Sequence, residues 1–399
     1  MDSFWLDFLG MLVRWLHVIA GIAWIGSSFY FIWLDRSLEP PAPGSEAERK
    51  GVGGELWAVH GGGFYNPQKY LVAPATLPER LHWFKWEAYT TWLSGSALLI
   101  LVYWLKAGTM MVDQNIAEIS TAQAVAIGAG CLVVSWAVYD LLCRSPLGRH
   151  DSILGVIVFG LLVLLAWGLG HWLSGRAVFI ETGACIGTIM AANVFFVIIP
   201  GQKRLVNAMR AGQAPNPIDG IRAKQRSVHN NYFTLPVVFT MFSNHYSATY
   251  AHPYNWAVLA LIAAAGVVIR HFFNLRHKGI YAWQYPAIGA ALLGFVGWWT
   301  MPHLVPLPPV QGEVNFARVS GIVGQRCVTC HSPAPTFPGI TTPQGGVLLH
   351  TSDNILKNAQ RAYQQVVVTR IMPLGNATHI TEEERAVIAQ WVRDGAKPQ

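Results

Sequence analysis

Long apolar runs separated by polar stretches dominate the first three hundred residues. Eight runs, at about 8–33, 82–105, 122–143, 152–173, 177–199, 231–248, 255–274 and 283–301, are long enough to cross a bilayer as helices, which takes about 20 residues each. Only the turn around Ser174-Gly175-Arg176 separates the fourth from the fifth, and Asn244 and His245 interrupt the end of the sixth. After Met301 the pattern changes. Pro302, Pro306, Pro308 and Pro309 make a stiff, extended linker over 302–313. Beyond it the chain reads as a small helical domain, with helices over 314–324 and 353–370. A last helix starts at Thr381, which forms a capping box with Glu384, and stops near Gly395. The expected fold is all-α: a polytopic membrane helix bundle over 1–301 and a small helical domain over 314–399.

Composition supports a membrane protein. Of 399 residues, 52% are hydrophobic and 12% charged, against about a quarter charged in a soluble domain. Mean hydropathy is +0.33. The net charge of +7 does not indicate nucleic-acid binding, because the basic residues sit on alternate loops between apolar runs. Of the Lys and Arg in the loops between runs, the first, third, fifth and seventh loops carry all but two: the second and fourth carry only Lys106 and Arg176, and the sixth none. The odd loops are therefore expected to be cytoplasmic. Both termini and the C-terminal domain are then periplasmic, at a bacterial inner membrane.

Five cysteines divide into two groups. Cys131, Cys143 and Cys185 lie in or beside apolar runs, as buried thiols do. Cys327-Val328-Thr329-Cys330-His331 is a C-x-x-C-H motif. Two thiols at this spacing form thioethers to the vinyl groups of a haem, and the adjacent imidazole becomes an iron ligand. No second Cys/His pair with zinc spacing follows. Met372, in Ile371-Met372-Pro373-Leu374-Gly375-Asn376, is the expected sixth ligand, with His350 and His379 as alternatives, and a thioether raises the reduction potential relative to His. Covalent haem c is the expected cofactor, held by Cys327, Cys330, His331 and Met372. This region resembles class I cytochromes c over about 314–397.

Ionisable residues in membrane spans are costly and mark function. His17, His171 and His245 lie toward the expected periplasmic side. His82, His229 and His271 lie toward the other, with Lys85, Glu87 and Arg270 nearby. The stretch from Arg14 to Gly26 resembles the first helix of the membrane protoporphyrinogen oxidase family, whose histidine binds haem b. That resemblance implies His17 as a haem b iron ligand, with His245 or His171 as its partner, and Gly21 leaves room for a flat macrocycle. No G-x-G-x-x-G unit is present. His60-Gly61-Gly62-Gly63 lacks an accompanying G-x-S-x-G elbow and is expected to be a flexible loop.

Several segments together carry a wider resemblance. They are Glu55 to Tyr65, Leu81 to Glu87, Ser227-Val228-His229-Asn230-Asn231-Tyr232, Ser243-Asn244-His245-Tyr246 and Arg270-His271-Phe272-Phe273-Asn274. The chain resembles the membrane-bound urate oxidases (urate hydroxylases) with a fused C-terminal cytochrome c. The resemblance implies oxidation of urate to 5-hydroxyisourate in purine breakdown. Electrons would leave through haem c to a respiratory-chain acceptor, a soluble cytochrome or a terminal oxidase. Urate is a flat anion at neutral pH, so its site needs an Arg, amides for the ring edge, an aromatic platform and a base. Arg226, Arg270, Asn230 and Asn231 are the expected substrate-binding residues, and His82, His229 and Glu87 the expected catalytic ones. The competing readings are a quinol or other small-molecule dehydrogenase, and a non-enzymatic electron-transfer subunit.

Overall fold

A computed structural model describes residues 3–71, 73–301, 305–338, 340 and 342–398. It is mostly helical. Helix α1 (Ser3–Ser37) is followed by strands β1 (Val52–Glu55), β2 (Ala58–His60), β3 (Gly63–Tyr65) and β4 (Gln68–Tyr70). Then come α2 (Trp86–Leu98), α3 (Thr121–Arg144), α4 (Asp151–Leu169), α5 (Gly175–Ala192), α6 (Pro217–Phe242), α7 (Asn255–Arg276) and α8 (Gln284–Trp299). Local chemistry sets the starts. At α3, Ser120 Oγ accepts from Gln123 N at 3.2 Å while Gln123 Oε1 accepts from Ser120 N at 2.8 Å. At α6, Asn216 Oδ1 accepts from Ile218 N at 3.0 Å, with Pro217 in the first turn.

Among the described residues, five stretches are long and apolar enough to cross a membrane: Phe8–Ser37, Thr121–Arg144, Asp151–Leu169, Gly175–Arg210 and Asn255–Arg276. The protein is thus built as a multi-pass membrane protein. On α4, of mean hydropathy 2.6, Val156 is 73% exposed, as suits a lipid-facing side. The other three expected spans differ for physical reasons. In 82–105 the helix starts only at Trp86 and turns into a π-helix at Leu99–Trp104. The run 231–248 is the apolar half of α6, whose first half carries Arg222, Lys224 and Arg226. Helix α8 has 16 residues, fewer than a full span. The expected span 177–199 instead continues through a π-turn, Asn193–Ile198, into Ile199–Arg210.

Helix α5 is the centre of the bundle and packs on α2, α3, α4, α6 and α7. Small residues permit this closeness. A Cβ at Gly183 would run into the Thr240 side chain of α6, and one at Gly128 of α3 would meet the Glu181 carboxylate. The segment expected as a flexible loop is instead an antiparallel hairpin of β2 and β3. Gly61 (φ 56°) and Gly62 (φ 80°) form its two-residue turn, a backbone that side-chain-bearing residues disfavour.

The loops segregate to two ends. At one, Arg36 Nη1 donates to Asn274 O at 2.7 Å, Asp35 pairs with Lys69 and with Lys224, and Gln225 Nε2 donates to Gly148 O at 2.6 Å. These contacts join the odd loops. At the other, Ser174 N donates to Met111 O at 2.8 Å and Arg176 Nη2 donates to Tyr250 OH at 3.2 Å, joining the second, fourth and sixth. The C-terminal unit docks at this second end, where Gly375 lies against Val112 O and Asp113.

That unit comprises α9 (Phe316–Arg326), α10 (Ser352–Lys357), α11 (Ala359–Tyr363), which continues as a π-turn over Gln364–Val368, and α12 (Glu382–Arg393). Its core gathers Val319, Val323, Leu349, Val366, Val387 and Trp391. The capping box of Thr381 and Glu384 is formed, and Gly395 (φ 93°) follows the last helix. The expected helix over 353–370 is broken at Asn358. Of the expected linker, Pro302 and its neighbours through 304 lie outside the described residues. Leu307 and Val310 pack against the C-terminal core.

Candidate functional site

Three groups of side chains stand out. The first surrounds a cavity of about 600 Å³ where the C-terminal unit meets the bundle, lined mostly by the C-terminal unit. Cys327, Cys330, His331 and Met372 all line it. Cys327 ends α9, and the backbone then turns, with His331 N donating to Cys327 O at 2.9 Å. His331 Nδ1–H donates to Val347 O at 3.1 Å, which leaves the Nε2 lone pair for a ligand. Burial pushes the His331 imidazole below its usual pKa, against the hydrogen bond to Val347, and so favours the neutral, ligating form. Burial also raises the Cys327 thiol to about 12 and the Cys330 thiol above its usual value. On the facing side, Met372 N donates to Gln365 O at 3.1 Å and Met372 O accepts from Arg385 Nη1 at 3.1 Å. Arg385 is buried and also donates to Val366 O. Sequence reasoning missed Arg385, which carries no motif. The donor set is two thiols, an imidazole and a thioether around an apolar cavity, and it fits a covalently held haem.

His17, His171 and His245 have separate surroundings. His17 Nδ1 is 3.0 Å from Thr91 O and 3.1 Å from Ser94 Oγ, and its ring lies against Gly95 of α2. His171 is exposed, with Nδ1 2.9 Å from Trp167 O. His245 lines the cavity of the C-terminal unit.

The other two groups share α6 at the end where the odd loops meet. On one side of α6, Arg226 Nη2 donates to Asp140 Oδ1 at 2.7 Å and Nη1 to Asn193 Oδ1 at 3.1 Å. Asn193 Nδ2 donates to Asn230 Oδ1 at 2.8 Å and to Tyr139 OH at 3.1 Å, and Asn230 Nδ2 donates to Met190 O at 3.0 Å. Tyr139 OH and His229 Nδ1 are hydrogen-bonded at 2.8 Å. The expected residues Arg226, Asn230 and His229 thus form one network, with Tyr139, Asp140 and Asn193 added. Asp140 gave no sequence signal because its partner lies 86 residues away.

On the other side of α6, Asn231 Oδ1 accepts from Arg270 Nε at 2.9 Å and from Asn274 Nδ2 at 3.0 Å. The Arg270 guanidinium lies 3.8 Å from the centre of the Phe29 ring. Asn231 Nδ2, Arg270 Nη2 and Asn274 Oδ1 are buried without partners, and so is Glu87 Oε2. Tyr232 OH and His271 Nδ1 are bonded at 2.7 Å on the same two helices. His82 stands apart, exposed, with its ring 4.6 Å from that of Phe84.

A buried guanidinium beside an unpaired amide donor and an unpaired amide acceptor can receive a flat anion whose edge carries both N–H and C=O groups. Searches of curated proteins and of solved structures return no match to the chain. The urate oxidase N-terminal family matches residues 3–301, three quarters of the chain and the whole helical bundle with its first loop. The chain belongs to the urate oxidase N-terminal family.

Proposed function

We propose that this protein oxidises urate to 5-hydroxyisourate in the bacterial inner membrane, using residues 314–399 as a fused cytochrome c domain tethered by the linker 302–313. Urate and water give 5-hydroxyisourate, two protons and two electrons. Family membership supports the substrate. The observation that carries the site is the set of unpartnered buried atoms on Asn231, Arg270 and Asn274. Arg270 has no carboxylate partner among the described residues, and a buried cation without one costs several kcal/mol. A urate anion would supply the missing charge, with Asn231 and Asn274 meeting its N–H and C=O edge. Arg226 and Asn230 were candidates for the same task, but their polar groups are already engaged. They act instead as the frame that holds His229. A general base is assigned to His229 or His82, acting through the water that adds to the ring, since His229 lies across α6 from Arg270 and His82 stands apart. Glu87, with one oxygen unpaired and buried, is assigned to proton transfer.

Haem c held by Cys327, Cys330, His331 and Met372 would supply one-electron chemistry and hand electrons to a soluble cytochrome or a terminal oxidase. Its support is the convergence of those four side chains on one cavity. A haem b on His17, with His245 or His171 as partner, is a further part of the proposal. The hydrogen bond of His17 Nδ1 leaves Nε2 for a ligand, and His245 lines the cavity that holds the four haem c candidates. The basic odd loops at one end support a cytoplasmic urate side and a periplasmic C-terminal unit, with membrane lipid around the exposed apolar faces. The test is anaerobic addition of urate to the purified full-length protein, which should reduce the haem. Reduction by quinol and not by urate would replace this reading with a quinol dehydrogenase.

A further inference from the structure

The cavity of the C-terminal unit is unbalanced in charge. Arg14, Arg176, Arg326 and Arg361 line it, and among the described residues no Asp or Glu does. Arg326 is matched by Glu384 at 3.1 Å, but the other three lack a carboxylate partner among the described residues. Arg176 has only neutral contacts, Met110 Sδ at 3.3 Å and Tyr250 OH at 3.2 Å, and its Nε is buried without a partner. It stands in the first turn of α5, where the positive end of the helix dipole adds to its charge. Arg14 makes no hydrogen bond or ion pair among the described residues. Both Arg14 and Arg176 belong to the membrane bundle, whereas the cysteines belong to the C-terminal unit. The wall of one cavity is therefore shared between two parts of the chain. Unpaired guanidinium groups in such a cavity call for an anionic ligand.

We propose that Arg14 and Arg176 receive the two propionate carboxylates of the haem attached to Cys327 and Cys330. The bundle thereby grips the cofactor of the C-terminal unit and docks that unit on itself. This rests on the cytochrome c reading above. Chemistry fixes the direction: the propionates occupy the edge of the macrocycle opposite the vinyl groups that the cysteines hold. Arg–carboxylate pairing would be charge-assisted and bidentate, so Lys substitutes poorly. Arg361, from the C-terminal unit itself, adds positive charge but cannot join the two parts.

The test uses full-length holoprotein in detergent, with R14A, R176A, the double variant and the double Lys variant. Covalent haem is counted by pyridine haemochrome, the midpoint potential is measured by redox titration, and docking is read by amide exchange over 110–112 and 374–377. The double Ala variant should keep its covalent haem, lose protection in both segments and have a lower potential, since positive charge near the iron is removed. The single variants should be intermediate, and the Lys pair should retain part of the potential and less of the protection. Full haem content with unchanged potential and protection would overturn the docking proposal and leave the cytochrome reading standing. Absence of covalent haem from the wild-type protein would overturn both.

Discussion

Arg270 donates to Asn231 Oδ1 through Nε at 2.9 Å, yet Arg270 Nη2 and Asn231 Nδ2 are both buried without partners. The two residues hold each other in place while each turns an unused donor elsewhere. If those donors serve urate, Arg270→Ala should raise the urate concentration for half-maximal rate by roughly 10- to 100-fold, the worth of a charge-assisted contact. Arg270→Lys should recover little of it. Steady-state kinetics with the haem as reporter checks this, and an unchanged KM would move the substrate elsewhere.

Tyr139 and His229 form the second hydrogen-bonded pair of interest, at 2.8 Å. Tyr139→Phe keeps the ring and removes the bond that orients the imidazole. With His229 as the base, Tyr139→Phe and His229→Gln should both lower the maximal rate and leave KM nearly unchanged. His82→Gln tests the other assignment by the same split. A loss of rate on changing His82 alone would transfer the role to it.

Asp140 and Arg226 form an ion pair at 2.7 Å, with Arg226 only 4% exposed at its side chain. Removing one partner of a buried pair leaves an uncompensated charge, at a cost of about 3–5 kcal/mol. Asp140→Asn should therefore lower thermal stability in detergent. Asp140→Asn combined with Arg226→Met should recover much of the loss, because both charges then disappear. Equal melting temperatures for the wild type and Asp140→Asn would remove this pair from the frame.

Met372 and Arg385 are joined through the Met372 carbonyl at 3.1 Å. Met372→Ala should lower the haem potential and abolish the weak near-infrared absorption of Met-ligated ferric haem. Arg385→Ala leaves the carbonyls of Met372 and Val366 without their buried donor, at about 1–3 kcal/mol each. It should weaken that absorption without changing covalent haem content. Unchanged spectra in both variants would assign the ligand elsewhere.

His17 is tested by extraction. Full-length protein should release a noncovalent haem into acid acetone, and His17→Ala should not. Haem that is wholly covalent in the wild type would eliminate the second cofactor.

Much of the fold was legible where information is local. The Thr381 capping box and the apolar runs of α3, α4 and α7 each lie within a few turns of chain. The start of α6 was misread because Arg222 to Arg226 suggested a loop, although Asn216-Pro217 is a helix-start signal. The Gly61-Gly62 hairpin was hidden by the resemblance of His60 to Gly63 to another motif. The candidate side chains could be named from sequence as residue types, but not their partners. Nothing near Arg226 in sequence indicates that Asp140 pairs with it, and nothing near Arg270 indicates that no acid among the described residues does. Such pairings arise from helix packing across distant sequence, which periodicity does not encode.

Asn230 and Asn231 are neighbours in sequence, and successive residues of a helix point about 100° apart. One therefore belongs to the network of Asp140 and Tyr139, and the other to the cluster of Arg270 and Asn274. Helix α6 is thus a wall common to both clusters. A substitution that displaces the helix acts on both sides at once, so neither the Arg270 cluster nor the Asp140 network can be altered through α6 without disturbing the other.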